Sequence, residues 1–230
     1  MSFADRTGKS NRLIELLNEH YWNNSEISQG HKMFHEPYGY ETHISPAAQS
    51  VLKRIYTTTT KHIRFTPDYI AGRSNLMLTD PVLLLEYKVT TTPRYTLRDG
   101  QWDSGQIEAD AWDNYMNLIS AGVRVALVIY CPYHSRPLLC EFPSSHWLTQ
   151  SRSTVASTYT GSKTDYCNIA LPRLRTFVEF MEQQFMVPAA ISAPLINPML
   201  DKAKADPTLQ ISHSPNSAYR DQRAGFNWLI

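Results

Sequence analysis

Residues 82–90 read Val-Leu-Leu-Leu-Glu-Tyr-Lys-Val-Thr, and residues 67–68 upstream read Pro-Asp. A β-strand turns successive side chains to opposite faces, so Glu86 and Lys88 share one face while Leu85, Tyr87 and Val89 share the other. The apolar run before Glu86 predicts a strand buried on both faces. Two opposite charges buried in such a strand cost several kcal/mol per ion unless each finds a partner. Asp68 lies in a second strand-like segment, Ile63–Ile70, with seventeen residues between it and Glu86. Pairing of the two strands brings Asp68 beside Glu86, and adjacent carboxylates repel unless a divalent cation lies between them. The residue set therefore predicts a Mg2+ site, at which Mn2+ can substitute. Asp68 and Glu86 supply hard oxygen ligands and the main-chain carbonyl of Tyr87 adds a third. Lys88 either holds a water or stabilises negative charge developing on a phosphoryl oxygen. This is the apparatus of metal-dependent phosphodiester hydrolysis.

The flanking sequence predicts an alternation of helices and strands. A helix runs from Ser10 to about Tyr21, and residues 22–44 read as irregular. Ser45-Pro46 is a favourable start for a second helix, with Ala47, Ala48, Val51, Leu52 and Ile55 on its apolar stripe. After the strands at Ile63–Ile70 and Val82–Thr90, the spacing predicts a helix over Gly105–Ala121. Ile107, Ala111, Tyr115 and Leu118 share one of its faces, and Gly122 closes it. Strands follow at Val123–Tyr130 and, more weakly, at Pro137–Phe142. A last helix spans about Leu171–Met186, with Leu174, Phe177, Val178 and Met181 inward. Neighbouring strands followed by a helical crossover imply a mixed sheet with helices packed on it.

The string Pro67-Asp68…Glu86-Tyr87-Lys88, in that order of elements, resembles the PD-(D/E)xK nuclease superfamily, the restriction-endonuclease-like fold. The resemblance covers about residues 46–142. It implies an α/β fold with a mixed β-sheet flanked by helices, and Mg2+-dependent cleavage of nucleic acid, usually DNA. By that resemblance Asp68, Glu86 and Lys88 are the catalytic residues, and Tyr87 fills the variable position. Two features depart from patterns of particular branches. No single acidic residue stands out as a fourth ligand, the candidates being Glu15, Glu19 and Glu41, with Gln49 on the helix before the PD strand. Gln106 and Tyr115 lack the QxxxY spacing of the exonuclease-like branch. Gln106 and Glu108 remain as supporting groups, although a solvated helix face explains them more simply.

Length and composition bound the rest. At 230 residues and 26.3 kDa the chain reads as a nuclease-like domain over 1–187, with an N-terminal helical extension and a proline-rich C-terminal arm over 188–230. The arm ends in Phe226, Trp228, Leu229 and Ile230, an apolar cluster expected to dock on the body or on a second subunit. The formal net charge of +1 argues against a histone-like or tail-driven polyanion binder but permits local positive charge. Residues 51–100 are in basic excess and residues 101–150 in acidic excess. The widely spaced Cys131, Cys140 and Cys167 contain no CxxC, which argues against a disulfide framework or a cysteine zinc site. His31 and His35 are four apart, but nearby Gly30, Pro37 and Gly39 and the lack of a second ligand pair argue against zinc. No apolar run is long enough to span a membrane and the first residues lack an apolar signal segment, so a cytoplasmic protein is expected. Arg64, Arg73, Arg94, Arg98, Arg173 and Arg175, and the hydroxyl-rich stretch 151–162, are candidate contacts to a DNA backbone. Duplex cleavage by an enzyme with one site favours a homodimer. The function expected is therefore a Mg2+-dependent endonuclease acting on DNA, in restriction or other defence, with repair or recombination next. The alternative is a nucleic-acid-binding or assembly module of a larger complex, with weak or partner-dependent cleavage.

Overall fold

In the computed structural model, which describes residues 3–38, 67–74, 82–89, 104–133, 136–144, 146, 148–156 and 163–209, the elements follow one another as α1 (Phe3–Leu17), two π-helical turns (Asn18–Trp22 and Glu26–Gly30), β1 (Met33–Pro37), β2 (Tyr69–Arg73), β3 (Leu83–Val89) and β4 (Ser104–Glu108). Then come α2 (Ala109–Ser120), β5 (Val125–Tyr130), β6 (Leu138–Glu141), β7 (Leu148–Ala156), β8 (Lys163–Ala170), a 3-10 turn (Leu171–Arg173), β9 (Arg175–Thr176), α3 (Phe177–Phe185) and α4 (Ala189–Ala205). Among the described residues, six strands form a mixed sheet in the order β1-β2-β3-β5-β6-β9, and three more form a second sheet in the order β4-β8-β7. Among the described residues only the β3–β5 pair is parallel, and β4 and α2 lie on the crossover that a parallel pair requires.

The alternation read from residues 82–90 decides how the layers form. Leu83, Leu85, Tyr87 and Val89 of β3, with Ala126, Val128 and Tyr130 of β5, pack against α1, α3 and α4. Leu84 of β3, with Val125, Leu127 and Ile129 of β5, packs against α2 and against Ile107, Cys167 and Ile169 of the second sheet. The central strands are apolar on both faces because both are covered, as is usual for a parallel pair. Glu86 and Lys88 therefore lie on the face covered by α2.

Helix ends follow their local chemistry. Gly122 has φ of +86°, and the bonds from Gly122 N–H to Ile119 O and from Val123 N–H to Leu118 O make the reciprocal pair that closes a helix on glycine. Thr176-Phe177-Val178-Glu179 forms a capping box: the Thr176 hydroxyl accepts from Glu179 N–H, and the Glu179 carboxylate accepts from Thr176 N–H.

Several expectations are corrected. The crossover helix begins at Ala109 rather than 105, because Ser104–Glu108 pairs with β8 as a strand. The last predicted helix begins at Phe177, where its cap lies, and Leu171–Thr176 is a 3-10 turn and a short strand. Residues 26–37 are a π-helical turn and a strand rather than irregular. The start of the C-terminal arm is a helix, α4, whose Ile196, Met199, Leu200 and Ala203 join the core. Pro194 and Pro198 sit four apart on its exposed side, where water can take the carbonyls that lose their N–H partners. The hydroxyl-rich stretch 151–162 is paired with β8 as strand through Ala156, and its residues 157–162 lie outside the described residues. The helix expected from Ser45 and the apolar end at 226–230 lie outside the described residues. Among the described residues no helix is long and apolar enough to cross a membrane.

Candidate active site

Main-chain pairing between β2 and β3 runs from Ala71↔Leu83 to Tyr69↔Leu85 and ends there. The next rung would need Pro67, which has no N–H to give. Asp68 takes over: its carboxylate Oδ2 accepts from the Tyr87 N–H at 2.9 Å. On its other side, the Asp68 carbonyl accepts from Tyr38 N–H at 2.8 Å, just past the end of β1. The Pro-Asp pair thus ends one ladder and ties the end of β2 to both neighbours.

One residue to each side of Tyr87 on β3, Glu86 and Lys88 point to the opposite face from its ring. Glu86 is 5% exposed, the one buried carboxylate among the described residues, and its Oε1 lies 2.8 Å from Lys88 Nζ. The Lys88 side chain keeps 19% of its surface exposed while its ammonium lies against the buried carboxylate. Burial pulls the Lys88 pKa down, but Glu86, then Asp68 and Glu108, outweigh that and leave it raised. Tyr115, from the buried face of α2, is hydrogen-bonded to Glu86. Its phenol pKa is raised first by burial and then by Glu86, Asp68 and Glu108. Three carboxylates, one just before β2 and the others on β3 and β4, therefore act on one ammonium and one phenol.

Of the residues singled out in the sequence, Asp68 is bonded to the Tyr87 N–H and Lys88 to Glu86, at the same end of the β2–β3 pair. The structure adds Tyr115, and of the two supporting candidates it brings Glu108 within electrostatic reach of Lys88. Glu108 ends β4 as the residue before α2, where the chain turns into the layer covering Glu86, so it is not on a solvated helix face. Tyr115 was legible as a core residue of α2, but nothing in its spacing announced a bond to Glu86. Other candidates fall away from the site. Glu15 and Glu19 bind Arg12 on α1, which packs on the opposite sheet face. Arg73 donates to Phe185 O, Arg173 to His146 O, and Arg175 to Glu141 and Gln183, so these arginines tie the fold together. Glu41, Gln49, Arg64, Arg94 and Arg98 lie outside the described residues. No protein-family model, curated protein or solved structure matches the chain.

The donor set fits a hard divalent cation. Among the described residues no three His, Cys, Asp or Glu side chains converge closely enough to hold one ion. Two carboxylates, a main-chain carbonyl and water are nonetheless the usual provision for Mg2+, which dehydrates reluctantly. In a strand a residue's N–H and C=O point to the same side, so the Tyr87 carbonyl faces the edge where Asp68 lies.

Proposed function

We propose that the chain is a Mg2+-dependent deoxyribonuclease of the restriction-endonuclease-like kind, an endonuclease centred on Asp68, Glu86 and Lys88. The observation that carries this reading is the junction of β2 and β3. The Asp68 carboxylate seals the end of one strand, while the next strand presents a buried Glu86 bonded to Lys88. Burying that pair against an apolar layer has no structural need, since a hydrophobic pair of similar volume would pack as well or better.

The roles follow from the geometry. Asp68, Glu86 and the Tyr87 carbonyl would hold the ion, with Glu108 adding negative charge nearby. When bound, Mg2+ supplies Lewis-acid polarisation of a phosphoryl oxygen and a more acidic water. Tyr87 N–H fixes one oxygen of Asp68, and Tyr115 fixes Glu86, so neither carboxylate has to reorganise when substrate arrives. Lys88 holds its ammonium beside the Glu86 carboxylate, where it can stabilise charge developing on a phosphoryl oxygen brought to the site. DNA as substrate, a homodimer with one site per strand, a cytoplasmic location and a role in restriction or defence belong to the same reading. A second reading is a nucleic-acid-binding or assembly module with partner-dependent cleavage, and one observation favours it: the lack of a third convergent ligand side chain among the described residues.

Calorimetric titration with Mn2+ tests the metal half of the proposal. The wild-type chain is expected to bind one ion. Asp68→Asn should weaken binding at least about tenfold, and Glu108→Gln by a smaller factor. Equal affinity in wild type and Asp68→Asn would remove Asp68 from the site and with it the proposal.

A further inference from the structure

On the face opposite Glu86, three aromatic rings surround His35. The indole of Trp22 stacks on one side of the imidazole at 4.4 Å and 3°, and the ring of Tyr69 stacks on the other at 4.3 Å and 7°. The Tyr87 ring meets both His35 and Tyr69 edge-on, at 5.8 Å and 5.3 Å. The sandwich leaves the imidazole little freedom to rotate and aims Nε2 at the Tyr87 hydroxyl, 2.9 Å away. His35 is on β1, Tyr69 on β2 and Tyr87 on β3, so this bond connects the two outer strands across the middle one.

The bond lies where main-chain pairing stops. The β2–β3 ladder ends at Tyr69↔Leu85, and beyond it Asp68 is held by Tyr38 N–H from one side and Tyr87 N–H from the other. Any spreading of β1 from β3 at this end would pull those two donors apart. The stack and the His35–Tyr87 bond resist that spreading from beneath.

We propose that His35 and Tyr87 form a clamp across β1, β2 and β3 that positions the Asp68 carboxylate, making His35 a positioning residue for the site on the other face of the sheet. Its consequence for metal binding rests on the function proposed above, whereas the clamp itself is a property of the ion-free chain.

The test uses the full chain as wild type, His35→Phe, His35→Gln and Tyr87→Phe. Phenylalanine keeps a ring in the stack but cannot hydrogen-bond the Tyr87 hydroxyl; glutamine places an amide, able to donate or accept, near the position of Nε2. The primary readout is hydrogen exchange at the Tyr87 amide, taken as a ratio to the Leu85 and Lys88 amides of the same strand, so that global destabilisation cancels. In His35→Phe the ratio is expected to rise roughly tenfold, with a similar rise in Tyr87→Phe. His35→Gln should bring it back to within about threefold of wild type, which a role in stacking alone would not do. Mn2+ affinity should fall about tenfold in His35→Phe and recover in His35→Gln. An unchanged Tyr87 ratio in His35→Phe overturns the clamp, as does a glutamine variant no better than phenylalanine. If the ratio responds while wild type binds no Mn2+, the clamp stands and the metal reading fails. If Mn2+ binds and depends on Asp68 while the ratio is unmoved, the clamp fails and the metal reading stands.

Discussion

Lys88→Met is expected to cost about 3–5 kcal/mol of folding stability, because it leaves the Glu86 carboxylate buried without its counter-charge. The carboxylate has little access to water, being 7% exposed in its side chain, and its remaining bond from Tyr115 supplies no positive charge. Glu86→Leu/Lys88→Met, which replaces the pair by residues that suit an apolar strand, should recover at least about 2 kcal/mol of that loss. The recovery stays incomplete because the Tyr115 hydroxyl then lacks its acceptor, at about 1–3 kcal/mol. Urea denaturation of the two variants and wild type reads all three values. A Lys88→Met variant within about 1 kcal/mol of wild type would mean that the pair is solvated and that its burial carries no functional message.

The second large effect is acid destabilisation through His35. Burial between Trp22 and Tyr69 pushes the imidazole pKa down from its ordinary 6.5 to about 3. Its Nδ1 is buried without a hydrogen-bond partner, so in the charged ring, which carries a proton on both nitrogens, the Nδ1 proton would find no acceptor. The folded-state value lies below the unfolded one, so the unfolded chain takes up a proton that the native chain refuses. Stability from this group is therefore complete above about pH 6.5 and declines as pH falls toward about 3. At 1.36 kcal/mol per pKa unit the loss between pH 7 and pH 5 is about 2 kcal/mol. The Glu179 carboxyl, lowered first by its bond to the Thr176 hydroxyl, and that of Asp206, lowered first by Thr208, act in the same direction but only in stronger acid. His35→Phe keeps a ring in the sandwich and removes the titration. Its stability should change between pH 7 and pH 5 by about 2 kcal/mol less than wild type. Identical pH slopes in the two proteins would show that His35 is protonated in the native state or that the sandwich opens easily.

Much of the sheet was legible because its strands carry a strong period. Leu83 to Val89 and Val125 to Tyr130 declare themselves by continuous apolar residues, and the parity within the first places Glu86 and Lys88 on one face. The C-terminal glycine of α2 was equally legible, since a left-handed residue at a helix end favours glycine. The misread parts have physical causes. Ser104–Glu108 looks like the first turn and a half of a helix, and only its pairing with β8, some sixty residues on, makes it a strand. Pro194 and Pro198 signal a break, yet both lie on the outer side of α4, so packing of the inner side overrides them. At the site, Asp68, Glu86 and Lys88 could be read from motif and alternation. Glu108 was named only as a supporting group, and the roles of Tyr115 and His35 could not be read, because each acts through tertiary contact with a residue far along the chain. His35 drew notice only as half of a weak histidine pair with His31, and the structure places it on β1 inside the aromatic sandwich.

The most direct test of the central claim is cleavage of supercoiled plasmid by the full chain in Mg2+, in Mn2+ and in EDTA, with Asp68→Asn in parallel. Asparagine keeps an acceptor for the Tyr87 N–H and removes only the charge, so the end of β2 should hold its shape. The account predicts nicking or linearisation in either metal, none in EDTA, and a rate at least about 10²-fold lower in Asp68→Asn. Intact plasmid under every metal condition, or an asparagine variant that cuts at the wild-type rate, would contradict it.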